Sequence, residues 1–181
     1  QSCGQVLRGF MEARISNPDA DGVGEIQVHG ENVMMGYYKN EQATKESFTE
    51  DGWLRTGDLG TIDEDGFIYI KGRCKTMLLG PSGQNIYPEE IEAKINNMPY
   101  VLESLVLQKE DARLVALVCP DFEAVDADKL TQEQLEVAME ENRKLVNQQL
   151  AAYEQVNVFK LYPHEFEKTP KKSIKRFLYE A

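Results

Sequence analysis

Three Asp-Gly pairs, Asp21-Gly22, Asp51-Gly52 and Asp65-Gly66, divide the first part of the chain into short runs that cannot be long helices. Asp-Gly tolerates the positive φ that a tight connection needs, so each pair predicts a reversal between strands. Gly24-Glu25-Ile26-Gln27-Val28-His29 alternates apolar and polar residues, the period of a half-buried strand, and pairs with Gly9–Ser16 across the turn Asn17–Gly22. Asn40 caps a short helix that ends before Phe48, and Asp51-Gly52 turns the chain into Trp53-Leu54-Arg55-Thr56-Gly57-Asp58. A further hairpin joins Leu59–Ile62 to Phe67–Lys71 through Asp63–Gly66.

After Gly72-Arg73-Cys74-Lys75 the pattern changes from β-rich to mixed, which places a boundary there. Thr76–Leu79 reads as a short strand and Gly80-Pro81-Ser82-Gly83-Gln84-Asn85 as a polar loop. Pro88-Glu89-Glu90 opens a helix with an apolar stripe of Ile91, Ile95 and Met98. Val101–Lys109 and Arg113–Cys119 form a hairpin. Thr131 with Gln134 resembles a capping box, followed by Leu135, Ala138 or Met139, Leu145 or Val146, and Leu150 at helical spacing; Val156–Leu161 returns as a strand. The expected fold class is α+β, β-rich over 1–73 and mixed over 74–181.

The 41% hydrophobic and 28% charged residues exclude a disordered chain. No apolar run approaches the roughly 20 residues of a membrane span, which predicts a cytoplasmic protein and leaves room for peripheral membrane contact. A net charge of −11 argues against nucleic acid as a partner. Cys3, Cys74 and Cys119 have neither disulfide nor zinc spacing, and His29 and His164 form no triad pattern with them; all five read as structural or inert. Against the acidic body, Lys160, Lys168, Lys171, Lys172, Lys175 and Arg176 cluster near the C-terminus, either as a solvated tail or as an arm that delivers a cation to an anionic substrate.

Asp58, read as standing on a turn between strands, offers two acceptor oxygens suited to neighbouring ribose hydroxyls. Arg73, one hairpin later, suits the same sugar or a phosphate. A structural aspartate and a surface arginine are the plain alternative.

Four stretches in order, Gly24-Glu25-Ile26 through Gly36-Tyr37-Tyr38, GWLRTGD, GFIYIKGR and NIYPEEIE, resemble the late motifs of the adenylate-forming enzymes: acyl-CoA synthetases, adenylation domains and luciferases. The form VHGENVMMGYY is most similar to long-chain fatty acid CoA ligases. The resemblance implies that ATP and a fatty acid give an acyl-adenylate and pyrophosphate, and that the coenzyme A thiol then displaces AMP. It implies nucleotide binding by Asp58 and Arg73, a hinge at Lys75, and a pantetheine passage lined by the loop of Gly83, here one residue longer than the common form. For the fold it implies the end of a β-rich, distorted-barrel subdomain over 1–73, then a small mobile α+β domain over 74–181 with a short mixed sheet and flanking helices. It also implies a magnesium ion whose ligands are expected upstream of this chain.

The family's tail pattern resembles PKTxxGKIxR, whose lysine offsets negative charge during adenylation. Aligned without gaps, Ser173 stands where that lysine is expected and Lys172 where the glycine is. Lys172 is the expected catalytic cation, with Lys171 and Lys175 as rivals. The phosphate loop and acyl pocket would lie before residue 1, so the chain is expected to be the C-terminal part of an enzyme, inactive alone. An adenylation domain that loads a carrier protein and a non-enzymatic interaction module are the competing readings.

Overall fold

The computed structural model describes residues 2–180 and divides into two compact units, Gln1–Thr76 and Met77–Ala181. The first unit is built on strands β1 (Gly4–Gln5), β2 (Met11–Ser16), β3 (Gly24–Gly30), β4 (Leu54–Ile62) and β5 (Phe67–Arg73), with helix α1 (Glu41–Ser47) between β3 and β4. Its sheet has the order β1-β5-β4-β3-β2, and all four pairings are antiparallel. The expected pairing of Gly24–Gly30 with the strand before it is present, with Met11 opposite Gly30 and Ser16 opposite Glu25. Asn40 caps α1 by accepting from the Ala43 N–H.

Why the chain reverses where it does is visible in a repeated turn. At 19–23, 49–53, 63–67, 80–84, 109–113 and 169–173 the first residue's N–H donates to the fifth residue's carbonyl, and the fourth residue's N–H donates to the first residue's carbonyl. The fourth residue is left-handed in every case: Gly22, Gly52, Gly66, Gly83, Ala112 and Lys172, with φ between 61 and 86°. This is the three-residue hairpin loop, a tight turn closed by a left-handed residue, and it favours glycine because glycine has no Cβ to clash.

The second unit begins with the two-residue hairpin β6 (Leu78–Leu79) and β7 (Asn85–Ile86), then α2 (Pro88–Ile95), β8 (Val101–Gln108), β9 (Leu114–Pro120), α3 (Phe122–Ala127), α4 (Gln132–Asn147) and β10 (Val156–Leu161). Strand β9 is central, antiparallel to β8 and parallel to β10, so the sheet is mixed. Every residue of β9 is buried, as expected for a strand covered on both faces. Leu114, Ala116 and Val118 join the cluster formed with Ile91 and Ile95 of α2 and Leu135, Met139 and Val146 of α4. Leu117 and Cys119 point the other way, to Phe166, Tyr162, Ile174 and Tyr179. The basic C-terminal segment is therefore anchored on the sheet through these side chains, while residues 170–173 stay exposed.

Three local expectations shift. Helix α2 ends at Ile95, so Met98 packs against the core from beyond its end. In α4 the capping box of Thr131 and Gln134 is formed, and the open choices resolve to Met139 and Val146, both buried, while Leu145 is exposed. Thr76–Leu79 contributes only the two strand residues Leu78–Leu79. No helix among the described residues is long and apolar enough to cross a membrane.

Candidate functional site

In the first unit the site residues are set by two irregularities in β4. Its register shifts against β3 between Glu25 and Gln27, and against β5 between Leu59 and Gly60. Asp58 thus stands within β4, not on the turn between strands that the sequence suggested. The strand still exposes it because Gly57 is left-handed, with φ of 73°, and a bulged strand re-aims its side chains. The Thr56 hydroxyl donates to the Ile26 carbonyl at 2.6 Å and accepts from the Asp58 N–H at 3.1 Å. The Gly57 N–H donates to Glu25 Oε1 at 3.3 Å, and its carbonyl accepts from the Cys74 N–H at 2.9 Å.

Asp58 lies opposite Arg73 in the β4–β5 register. The Arg73 guanidinium Nε is 3.1 Å from Asp58 Oδ1, with the aspartate side chain 28% exposed and the arginine 61%. The structure brings together the two residues assigned to the nucleotide and leaves both open to a ligand. Lys75 is exposed on the turn that follows β5, where the Thr76 N–H returns to the Arg73 carbonyl at 3.1 Å. Glu25 was missed from the sequence: its 19% exposed carboxylate also receives Arg55 at 3.3 Å, and only the strand pairing shows that it holds the Gly57 backbone.

In the second unit Gly83 sits at the left-handed fourth position of the 80–84 loop, with no atom within 4 Å of where a Cβ would be. The turn alone favours a glycine there, and the open space leaves its backbone approachable. Lys172 occupies the same position in the 169–173 loop, with φ of 61°. A lysine therefore stands at a backbone site suited to glycine, and Ser173 follows where the resemblance expects the lysine.

The tail cations separate by their partners. Lys168 Nζ is 2.8 Å from Glu103 and 3.1 Å from Glu165, Lys175 is paired with Glu167, and Arg176 reaches Glu92 at 2.7 Å. Between Lys168 and Arg176, only Lys171 and Lys172 have no carboxylate partner among the described residues. Glu92 and Glu103 were also missed from the sequence, because their partners lie far along the chain.

Burial pushes the Glu92 carboxyl up to about 7, against the lowering pull of Arg176 and of the Val106 N–H. Its pKa is raised on folding, so between the ordinary value of 4.5 and about 7 the unfolded chain releases the proton first and rising pH favours unfolding. Over that window Glu92 should remove about 3 kcal/mol of stability. Thermal melts followed by circular dichroism should show Glu92→Gln gaining on the wild type from pH 5 to pH 7.5; a constant gap would refute the shift. Cys119 is buried, and burial followed by Glu103 pushes its thiol up to about 11, which removes it as a nucleophile near neutral pH. Among the described residues no group of three or more His, Cys, Asp or Glu side chains is placed to hold a metal ion.

An α+β unit with a mixed sheet, preceded by two facing strands that present an aspartate and an arginine together, is the arrangement of the C-terminal region of an adenylate-forming protein. Residues 76–181 match the family model described as AMP-binding enzyme C-terminal domain, and the chain belongs to that family within the adenylate-forming superfamily. It is 40% identical over 117 residues to long-chain-fatty-acid–CoA ligase ACSBG2 of Gallus gallus, covering 65% of this chain and 15% of that protein. It is 50% identical over 105 residues to sulfoacetate–CoA ligase of Cupriavidus necator, covering 58% of this chain and 20% of that protein. Among solved structures, O-succinylbenzoate coenzyme A synthetase (MenE) from Bacillus subtilis in complex with AMP superposes with a TM-score of 0.76 at 27% identity, over 99% of this chain and 35% of that one. The chain thus spans a fifth or less of the length of these two curated relatives.

Proposed function

We propose that the intact protein containing this chain is a carboxylate–CoA ligase that forms an acyl-adenylate from ATP, releases pyrophosphate and passes the acyl group to coenzyme A, with long-chain fatty acids as the acyl class. The observation that carries this reading is the Asp58–Arg73 pair, half-open at 3.1 Å on facing strands. Asp58 accepts the two ribose hydroxyls, and Arg73 holds that carboxylate while its remaining N–H groups face the nucleotide. Lys75 serves as the hinge, as the penultimate residue of the first unit, and the Gly83 backbone borders the pantetheine.

Lys172 supplies the cation that offsets charge on the carboxylate and α-phosphate as the adenylate forms. Its rivals fare unequally: Lys175 is committed to Glu167, whereas Lys171, like Lys172, has no carboxylate partner among the described residues. Lys172 is preferred because the turn holds its backbone at the left-handed position next to Ser173.

The relatives support more than one acyl class, since the more identical one acts on sulfoacetate by its name. A pyrophosphate-release assay of the intact protein over fatty acids of graded length and sulfoacetate, with and without coenzyme A, should show turnover rising with chain length and acyl-CoA as product. Turnover on sulfoacetate alone would replace the acyl class. Acyl transfer only to a phosphopantetheinylated protein would replace the ligase by a carrier-loading adenylation domain.

A further inference from the structure

The C-terminal turn that carries Lys172 is held at both feet by carboxylates from other elements. Lys168 and Ile174 form an antiparallel bridge, and inside it the Thr169 N–H donates to the Ser173 carbonyl and the Lys172 N–H to the Thr169 carbonyl, both at 2.8 Å. At the first foot Lys168 reaches Glu103 of β8 at 2.8 Å. At the second foot both terminal nitrogens of Arg176 donate to Glu92 Oε1 of α2 at 2.7 Å. Each carboxylate is itself anchored by a backbone amide at 2.7 Å, Glu103 Oε1 by Phe166 and Glu92 Oε1 by Val106. Each is only 13% exposed.

These pairs are an expensive way to attach a segment that already has Phe166, Tyr162, Ile174 and Tyr179 packed on the sheet. A largely buried ion pair adds little net stability over apolar residues of the same volume, but it fixes geometry. Aromatic packing tolerates small slips along the sheet; an amide-anchored carboxylate facing a guanidinium does not. The two pairs bracket the same turn, and Lys171 and Lys172, which have no carboxylate partner among the described residues, lie between them.

We propose that Glu92 and Glu103 are positioning residues for adenylation: with Arg176 and Lys168 they clamp the 169–173 turn so that Lys172 is presented in one pose. This rests on the assignment of Lys172 made above. Neither carboxylate touches substrate; each acts through the lysine. The half-reaction that uses the turn should depend on the clamp, and thiolation, which uses the Gly83 loop of the same unit, should not.

The test, run at about pH 8.5 where Glu92 is ionised, uses the intact enzyme carrying Glu92→Gln with Glu103→Gln, which keeps side-chain size and an acceptor for each amide while removing both charges. Arg176→Gln, which breaks one pair from the other side, and Lys172→Gly are run in parallel. Adenylation is read by pyrophosphate exchange and thiolation by transfer from supplied acyl-adenylate. The expected result is a tenfold to hundredfold fall in the adenylation kcat for the clamp variants, as for a misplaced catalytic group, with thiolation within twofold of wild type. Equal losses in both half-reactions would mean that the carboxylates only keep the unit folded, and would overturn the proposal. If Lys172→Gly impairs adenylation while the clamp variants do not, the clamp alone is refuted; if Lys172→Gly changes nothing, the lysine assignment fails and the clamp falls with it.

Discussion

Replacing Asp58 by alanine in the intact protein is expected to weaken nucleotide binding on the order of 10²- to 10⁴-fold, since a carboxylate that accepts two hydroxyl donors contributes roughly 1.5–3 kcal/mol through each. The loss should appear with AMP in titration calorimetry and with ATP in pyrophosphate exchange. Asp58→Asn, which keeps the shape and one acceptor oxygen, should fall between. Folding should be little affected, because the Arg73 pair is half-exposed and such pairs contribute about 1 kcal/mol or less. Unchanged affinity for AMP in a folded Asp58→Ala protein would leave the pair as a surface contact and favour a non-enzymatic module.

Replacing Lys172 by glycine should lower adenylation about 10²- to 10³-fold, the usual cost of removing one preorganised electrostatic group from a transition state. Glycine is more informative than alanine here. With φ at 61°, a residue that carries a Cβ is strained by about 1 kcal/mol, so Lys172→Gly removes the charge while relaxing the turn. Its melting temperature should equal or exceed that of the wild type, and thiolation from supplied acyl-adenylate should persist. Lys171→Gln serves as the companion, because Lys171 is the other cation of the turn without a carboxylate partner among the described residues. Loss of adenylation in Lys171→Gln but not in Lys172→Gly would move the role by one residue.

Several elements were legible because their causes are local. Asp21-Gly22, Asp51-Gly52 and Asp65-Gly66 supply the left-handed residue of a tight turn, and all three pairs lie in such turns. Thr131 and Gln134 satisfy each other's backbone amides within four residues. The continuous apolar run of β9 follows from a strand covered on two faces. The hairpin across Glu110-Asp111-Ala112 was legible from the two apolar runs it joins, but the left-handed conformation of Ala112, and the turn at Lys172 altogether, were not, because neither position carries the glycine that would announce it.

By itself the chain's order of residues determined the Asp-Gly reversals, the caps at Asn40 and Thr131, the individual strands and the presence of cations near the C-terminus, since these depend on dihedral preference and on apolar periodicity over a few residues. The parallel pairing of β10 with β9 that makes the sheet mixed does not. Only the tertiary structure decided that Asp58 belongs to a bulged strand facing Arg73, and which tail cations are already neutralised. Arg176 finds Glu92 across 84 residues of sequence and Lys168 finds Glu103 on another strand. An ion pair depends on the distance between charges, and folding sets that distance without leaving a local mark in the sequence.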